Sequence, residues 1–201
     1  GAWLGALIDQ AKAKLGETAR HEAQDRILWG VIDTPAGRRV GYLQVFVMGG
    51  FTTREDFASP EWAAAEMAEL NRVLDEALAA FEGADAVIVD LSNNRGGWDR
   101  VAKALPGRFT DSEFTGFTTQ ARGSGQAPFP NAIAPADGPR FTGPLYVMTS
   151  DVTVSGGELA TLAFRQLPNV TQVGGTTRGA FSTPLAKPLP NGWVLELSNE
   201  T

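Results

Sequence analysis

The chain has 201 residues, no cysteine, a single histidine and a formal net charge of −6. The absence of cysteine excludes disulfides, thiolate metal sites and a cysteine nucleophile, and the acidic balance argues against a nucleic-acid surface. Hydrophobic residues make up 43% of the chain, as in ordinary soluble domains, and no apolar run in the sequence approaches a membrane span. Only one imidazole, that of His21, is available as a base.

The first half of the chain predicts a helix, a hairpin and a second helix. Apolar residues recur at helical spacing over 3–15. Residues 26–32 and 40–47 read as two strands, joined by a turn at Asp33-Thr-Pro-Ala-Gly37. Ser59-Pro60-Glu61 combines an N-cap serine, a proline at the first helical position and an early acid, so it predicts a helix start.

The second half alternates strands with helices. Short apolar runs over 86–91, 145–149 and 170–174 predict adjacent core strands, the last of them buried. Helical spacing follows the first two runs. Residues 193–197 predict an alternating, half-exposed strand. Together these patterns indicate βαβ crossovers and a largely parallel core sheet.

Two segments fall outside this alternation. Residues 107–143 form the least regular stretch, and so long a connection within a compact domain indicates a functional excursion. We therefore expect 107–143 to lie over or beside a substrate cleft as a lid.

At the N-terminal end of the chain, we expect 1–25 to be a helical segment and 26–201 to be the core domain.

Ser155 stands between a predicted strand and a predicted helix. There its hydroxyl could be exposed with the helix N-terminus behind it, which suits a nucleophile because free N–H groups stabilise a developing oxyanion. However, Ser155-Gly-Gly-Glu158 also matches S-x-x-E, the capping box of a helix. On this stretch alone, capping is the better interpretation.

Three predicted strands end in glycine-rich loops, where sites gather in open α/β sheets. The loops are Asn93-Asn-Arg-Gly-Gly97, Thr153-Val-Ser-Gly-Gly157 and Gly174-Gly-Thr-Thr-Arg-Gly179. Taken singly, tight turns are their commoner use. A dinucleotide or phosphate site is a weaker option, because neither G-x-G-x-x-G nor the P-loop pattern occurs.

Taken in order, these motifs resemble the tail-specific, or C-terminal-processing, serine peptidases, which include the tricorn core. The resemblance covers about Trp29 to Leu197 and depends on five motifs: Val40-Gly-Tyr-Leu-Gln-Val45, Ile88-Val-Asp-Leu-Ser-Asn-Asn-Arg-Gly-Gly97, Leu145-Tyr-Val-Met-Thr149, Val154-Ser-Gly-Gly-Glu158 and Val173-Gly-Gly-Thr-Thr-Arg-Gly179. Each motif is weak alone, whereas the ordered set is specific.

The resemblance implies an α/β core of the ClpP/crotonase type, with a largely parallel sheet and crossover helices. Ser155 matches the nucleophile of the family. The Gly156 N–H matches one oxyanion donor, and the other comes from the Gly96-Gly97 loop. Glu158 and Thr177 match positions that support the site. This assignment is chemically coherent, because acyl transfer needs a hydroxyl, backbone donors and a rigid turn.

The base is where the sequence departs from the family. Ala180 occupies the place of the lysine in the serine–lysine branch, Arg178 cannot lose its proton, and Lys187 would need a different local geometry. The tricorn-like branch uses a histidine, but His21 lies outside the matching motif and reads as an exposed surface residue. Glu200 is a poor candidate for the supporting glutamate. We therefore expect a core fragment of a longer protein, with histidine and glutamate outside it.

The resemblance thus implies a serine peptidase of the tricorn-like branch that cleaves polypeptides through an acyl-enzyme at Ser155. We expect the isolated chain to be inactive. A non-catalytic binding module of the same fold, of the retinoid-binding type, is the alternative, since fold alone does not separate the two. A polypeptide substrate, no cofactor and no metal are implied, and the frequent export of relatives points to a periplasmic or extracytoplasmic location.

Overall fold

The computed structural model describes residues 2–121, 123–182 and 184–198, the side chains of residues 2–4 excepted. The helices are α1 (Ala2–Leu15), α2 (Pro60–Ala80), α3 (Asp99–Ala104) and α4 (Gly156–Phe164). The strands are β1 (Arg20–Glu22), β2 (Ile27–Asp33), β3 (Arg39–Val45), β4 (Ala86–Asp90), β5 (Phe114–Thr119), β6 (Phe129–Ile133), β7 (Leu145–Thr149), β8 (Val170–Gly174), β9 (Pro184–Pro188) and β10 (Val194–Ser198). None of the described helices is both long and apolar enough to cross a membrane.

Six strands form one sheet in the order β1-β2-β3-β4-β7-β8. The pairs β1–β2 and β2–β3 are antiparallel, whereas β3, β4, β7 and β8 pair in parallel. Helix α2 connects β3 to β4, and α4 connects β7 to β8, because parallel neighbours need crossover connections. The prediction of an α/β fold with a largely parallel sheet is confirmed, and 86–91, 145–149 and 170–174 are neighbouring strands as predicted.

Helix α2 begins where the sequence predicts. Ser59 Oγ accepts the Trp62 N–H at 2.9 Å, and Pro60 takes a position where no N–H is needed. One stripe of the helix is buried: Leu70, Val73, Leu74, Ala77 and Leu78. Burial of each leucine or valine contributes about 1.5–3 kcal/mol, so this stripe fixes α2 in the core.

Apolar side chains cover both faces of the sheet. In the main core, Val89 of β4 belongs to the same cluster as Leu74 of α2 and Phe164 of α4. A smaller cluster joins Leu28 of β2 to Leu15 of α1. The core therefore includes both crossover helices, and α4 is held rigidly where its N-terminus meets the sheet edge.

Two predictions about burial near the C-terminus are wrong. Strand β8 forms where predicted, but residues 171–174 are exposed because β8 is the sheet edge and pairs only with β7. Strand β10 is exposed at every position instead of every second one. It pairs with β9, which the sequence did not predict, in a separate two-stranded sheet, and neither described helices nor the main sheet bury it.

Residues 107–143 are more regular than predicted. Strands β5 and β6 form an antiparallel hairpin within this segment. A Cβ added to Gly116 would lie 3.0 Å from the Ala163 Cβ, so the hairpin base packs closely on α4. Arg108 is 2% exposed, and its guanidinium bonds to Asp75 and Asn71 of α2. Contacts with α4 and α2 order this segment, and its composition does not reveal them.

The N-terminal segment contains a strand that the sequence did not reveal. Strand β1 pairs with β2, so the predicted helical segment 1–25 holds β1 as well as α1. His21 lies on β1, opposite Leu28, with its ring edge-on to Phe46 at 6.2 Å. Its side chain is only 13% exposed. The prediction of an exposed histidine is therefore wrong, because strand pairing brings His21 against the sheet.

Candidate active site

Ser155 occupies a strained turn between β7 and α4. It is the N-cap residue of α4, with φ +52° and ψ −121°. For a residue with a side chain, such a conformation costs about 1–3 kcal/mol and persists only where the surroundings impose it. The turn is imposed here by α4, which is almost completely buried. Strain of this kind clusters at functional sites, and it places the half-buried Ser155 at the sheet edge.

Glu158 forms its half of the predicted capping box with Ser155, whereas the Ser155 hydroxyl makes no cap hydrogen bond. The Glu158 carboxylate accepts the Ser155 backbone N–H at 3.0 Å, while the Glu158 N–H donates to the Ser155 carbonyl oxygen at 2.8 Å. Capping and strain therefore coexist at one residue. The cap explains how α4 starts. It does not explain the positive φ of Ser155, because an ordinary N-cap residue adopts the β region.

The loop after β4 meets the loop that carries Ser155. A Cβ added to Gly96 would lie 2.8 Å from the Ser155 Cβ, and one added to Gly156 would lie 2.9 Å from the Gly97 carbonyl oxygen. Gly97 has φ +129°, and a Cβ there would lie 2.5 Å from the Met48 carbonyl oxygen. Only glycine permits contacts this close. The two loops that the sequence singled out therefore lie side by side.

Two backbone donors lie free at this junction. Within the described residues, neither the Gly97 N–H nor the Gly156 N–H donates to another protein atom. Gly156 opens α4, and the first N–H groups of a helix lack intrahelical acceptors. A Cβ on Gly156 would lie 3.3 Å from the Gly97 nitrogen, so the two donors are neighbours. Adjacent free donors can stabilise an oxyanion beside a serine hydroxyl.

Met48 and Asn94 hold the Gly96-Gly97 loop. Met48 donates to the Gly96 carbonyl oxygen and accepts the Trp98 N–H, both at 2.6 Å. The Asn94 side chain is fully buried. Its Oδ1 accepts the Gly96 N–H at 2.9 Å, and its Nδ2 donates to the Val45 carbonyl oxygen at 2.8 Å. The sequence analysis named Asn94 only as part of a motif and gave it no role. An asparagine two residues before a glycine pair could have predicted this turn, because Asn side chains bond to the backbone two residues further on.

Asp90 closes the end of β4, where this loop begins. Its Oδ2 accepts the Tyr42 hydroxyl at 2.6 Å, and its Oδ1 accepts the Ser92 N–H at 2.8 Å. Burial, followed by the nearby Asp90 charge, raises the pKa of Tyr42 far above its ordinary value. Tyr42 is therefore a neutral donor that pins the Asp90 carboxylate across neighbouring strands.

The Glu158 carboxylate links α4 to the loop after β8. Glu158 is fully buried, and besides Ser155 it accepts the N–H groups of Gly179 and Ala180, the latter at 2.8 Å. Thr177 is half-buried and lines a small cavity of about 330 Å³ together with Glu158. The structure brings Ser155, Gly156, Gly96, Gly97 and Glu158 together, with Thr177 behind Glu158.

A second buried glutamate was not predicted. Glu66 of α2 is fully buried and accepts the Phe51 N–H at 2.9 Å, the Thr52 N–H at 3.0 Å and the Thr52 hydroxyl at 2.7 Å. It therefore fixes the segment that follows Met48. A lone acid in the buried stripe of a helix was the available signal, since unpaired carboxylates are almost never buried.

None of the candidate bases bonds to Ser155 within the described part of the chain. His21 lies on β1, at the opposite end of the sheet from β8, and its Nδ1 is 3.3 Å from Asp25 Oδ1. Lys187 lies on the exposed strand β9. Arg178 Nε donates to the Asp151 carbonyl oxygen. Glu200 lies outside the described residues.

A cavity of about 900 Å³ lies one helical turn along α4 from Ser155: its lining includes Leu159, Gly179 and Ala180, but not Ser155, Gly156, Gly96 or Gly97. It lies between α3, α4, the β5–β6 hairpin and the loop that Glu158 holds. Its lining is Asp99, Lys103, Phe117, Thr118, Thr119, Phe129, Asn131, Leu159, Leu162, Gly179, Ala180, Phe181, Ser182 and Ser198. The hairpin thus lies beside a cleft as predicted, whereas its motion as a lid stays a prediction.

The same architecture occurs in known peptidases. The sequence model of peptidase family S41 matches residues 39–201. A Parabacteroides merdae protein assigned as a peptidase has a TM-score of 0.72 at 22% identity, over 94% of this chain and 55% of that one. Mature CPAF complexed with lactacystin has a TM-score of 0.68 at 13% sequence identity, over 87% of this chain and 46% of that one. The photosystem II D1 C-terminal processing protease has a TM-score of 0.57 at 14% sequence identity, over 88% of this chain and 43% of that one.

No curated protein matches the chain. The chain spans about half the length of the solved structures it resembles. At these identities the likeness shows the fold, and the sequence model shows the family.

Proposed function

The chain belongs to peptidase family S41, and on that premise we propose that it is the core of a serine peptidase with Ser155 as nucleophile. The observation that supports this most is the strained Ser155 beside the free N–H groups of Gly97 and Gly156. A helix cap alone explains neither the positive φ nor the second donor. Polypeptides are the proposed substrates.

In the proposed reaction, Ser155 Oγ attacks the carbonyl carbon of the scissile peptide bond while a base takes the hydroxyl proton. The carbonyl oxygen becomes an oxyanion that accepts hydrogen bonds from Gly156 and Gly97. The base then returns the proton to the leaving amine, and an acyl-enzyme remains on Ser155. Water, activated by the same base, releases the new carboxylate and regenerates the hydroxyl.

Glu158 and Thr177 are proposed as positioning residues. The Glu158 carboxylate accepts the Ser155 backbone N–H, so it fixes the backbone of the proposed nucleophile beside the two donors. The same carboxylate holds Gly179 and Ala180, which line the cleft. Thr177 lies on the loop thus held. Positioning matters because small displacements of reacting groups cost large factors in rate.

The base is proposed to lie outside this chain. In support, neither His21 nor Lys187 bonds to Ser155, and Ala180, at the lysine position of the serine–lysine branch, supplies only backbone to Glu158. A histidine with a supporting glutamate, as in the tricorn-like branch, would complete the site. We also propose C-terminal processing as the type of cleavage, following the family resemblance and the D1-processing neighbour.

A binding module is the second candidate, favoured by the cavity itself. Its volume of about 900 Å³ lies in the range of small-molecule sites, and phenylalanine and leucine side chains line it. An apolar ligand could occupy this space without any chemistry at Ser155.

The deciding experiment uses the full-length protein and a fluorophosphonate probe. Labelling at Ser155 and peptide turnover are expected, with both lost in Ser155→Ala by about 10⁴-fold or more. As a lost cap, the same change costs about 0.5–2 kcal/mol of stability. Ser112→Ala, on an exposed loop, is the matched control and should label fully. An unlabelled full-length protein that binds an apolar ligand tightly would favour the binding module.

A further inference from the structure

The cavity of about 900 Å³ between α4 and the hairpin is mainly apolar, and its described lining includes one cation. Phe117 and Phe129 of the hairpin, Leu159 of α4 and Phe181 form apolar walls. Lys103 of α3 lines the same space and is the only lysine or arginine among its described lining residues. A chain with net charge −6 therefore presents a positive group where a substrate would lie.

The Lys103 ammonium has spare donors. Its bond is to the neutral Asn131 Oδ1, at 3.5 Å, the outer limit for a hydrogen bond. Lys103 makes no ion pair with any described residue. Asp99, one turn earlier on α3, lines the same cavity and has interactions of its own. An ammonium has three donors, so most of its capacity is left for a ligand.

Asn131 keeps this ammonium on the hairpin side of the cleft. Asn131 Nδ2 donates to Thr119 Oγ1 at 3.3 Å, which turns Oδ1 toward Lys103. The half-buried Lys103 and Asn131 thus connect α3 with the β5–β6 hairpin. Apolar walls around a partly desolvated cation strengthen its attraction to an anion, while an apolar side chain of the same ligand gains from burial against the phenylalanines.

We propose that Lys103 binds a carboxylate of the polypeptide substrate, next to an apolar side chain held by Phe117 and Phe129. This inference rests on the proposed function, because a polypeptide is the ligand that offers both groups together. The carboxylate has two sources in a polypeptide, the chain terminus and an aspartate or glutamate side chain. Both present two oxygens to an ammonium, and a terminal carboxylate would make the cleft selective for chain ends.

The test uses matched peptides and full-length protein. The peptides share one apolar core and differ in a free or amidated C-terminus and in glutamate or glutamine beyond the core. Binding is measured with the Ser155→Ala background, and turnover with the active protein. Because Lys103→Met removes one charge-assisted hydrogen bond, we expect it to weaken binding of the acidic peptides by about 10-fold or more. Binding of the neutral peptides should stay unchanged. Lys14→Met on the exposed part of α1 is the matched control.

Each result bears on the proposal separately from the proposed function. Tighter binding of the free acid than the amide, lost in Lys103→Met and weakened by salt, supports a terminal carboxylate. A preference for glutamate over glutamine, lost in the same variant, supports a side-chain carboxylate. Unchanged preferences in Lys103→Met, or no peptide binding at all, overturn the proposal even if Ser155 labels and cleaves. Lys103-dependent binding without labelling or turnover overturns the peptidase and leaves the carboxylate site standing.

Discussion

Glu66 and Glu158 are both fully buried, and each holds a loop at the same edge of the sheet. Glu66 holds Phe51, which is itself 1% exposed. Glu158 holds Gly179 and Ala180, which are exposed. Glu66 therefore joins two parts of the core, while Glu158 joins the core to a surface loop. A buried carboxylate that accepts backbone N–H groups thus supports stability at Glu66, and at Glu158 it supports the geometry of the proposed active site.

The comparison predicts a large stability loss at Glu66. Glu66→Ala leaves the buried Phe51 N–H and the half-buried Thr52 N–H without their acceptor, at about 1–3 kcal/mol each, so about 2–6 kcal/mol should be lost in urea unfolding. Glu76→Ala, in an exposed pair with Arg72 on the same helix, should cost no more than about 0.5 kcal/mol. A Glu66→Ala protein as stable as the control would refute the role assigned to Glu66.

Glu158→Gln should act mainly on activity. A glutamine carries one carbonyl oxygen and one NH₂ group, so its NH₂ must face either the Gly179 N–H or the N–H groups of Ser155 and Ala180. At least one of the bonds that hold the Ser155 turn and the Gly179 loop is therefore lost. We expect kcat in the full-length protein to fall about 100-fold with a smaller effect on KM. The loop is exposed, so stability should change less than in Glu66→Ala. Equal losses of stability in both variants would remove the distinction.

The β5–β6 hairpin separates the same two effects within one segment. Shortening the exposed tip of the hairpin, residues 123–128 between β5 and β6, should change peptide turnover several-fold, because the adjoining strands line the cleft, with little change in melting temperature. Removing the whole hairpin would also remove the buried Ile133 and should cost about 2–5 kcal/mol. A tip deletion that unfolds the protein would show that the tip is core packing.

The smallest predicted effect concerns Asp56, before α2. The Arg54 guanidinium, then the Ser59 hydroxyl, lower the pKa of Asp56 from 3.8 to about 2. Because the folded-state pKa is depressed, the stabilisation is present above 3.8 and is lost as the pH falls through about 2. Acid titration of urea midpoints should show a slightly steeper loss over this window for the wild type than for Asp56→Asn. Identical slopes would contradict the pairing.

Local patterns determined much of this protein in advance. The sequence predicted α2 from its cap and stripe and the three neighbouring strands from short apolar runs, and the structure confirms both. The ordered motifs singled out Ser155, Gly156, Gly96, Gly97 and Glu158, and the structure brings these positions together, while their catalytic roles stay predictions. These signals depend on residues close in the chain, where spacing fixes geometry. The ordered motifs identified the family, and the positions of the glycine loops followed from the parallel sheet, which gathers strand ends at one edge.

Tertiary contacts decided the rest. Glu66 bonds to residues 14 and 15 positions away in the chain, and Lys103 meets Asn131 across 28 positions, so no local pattern announces either contact. The pairing of β1 buried His21, and the edge position of β8 exposed residues that looked apolar enough for a core. A sequence records which side chains can be buried or charged, but only the packed chain decides which of them meet, because burial and pairing depend on neighbours that folding brings together.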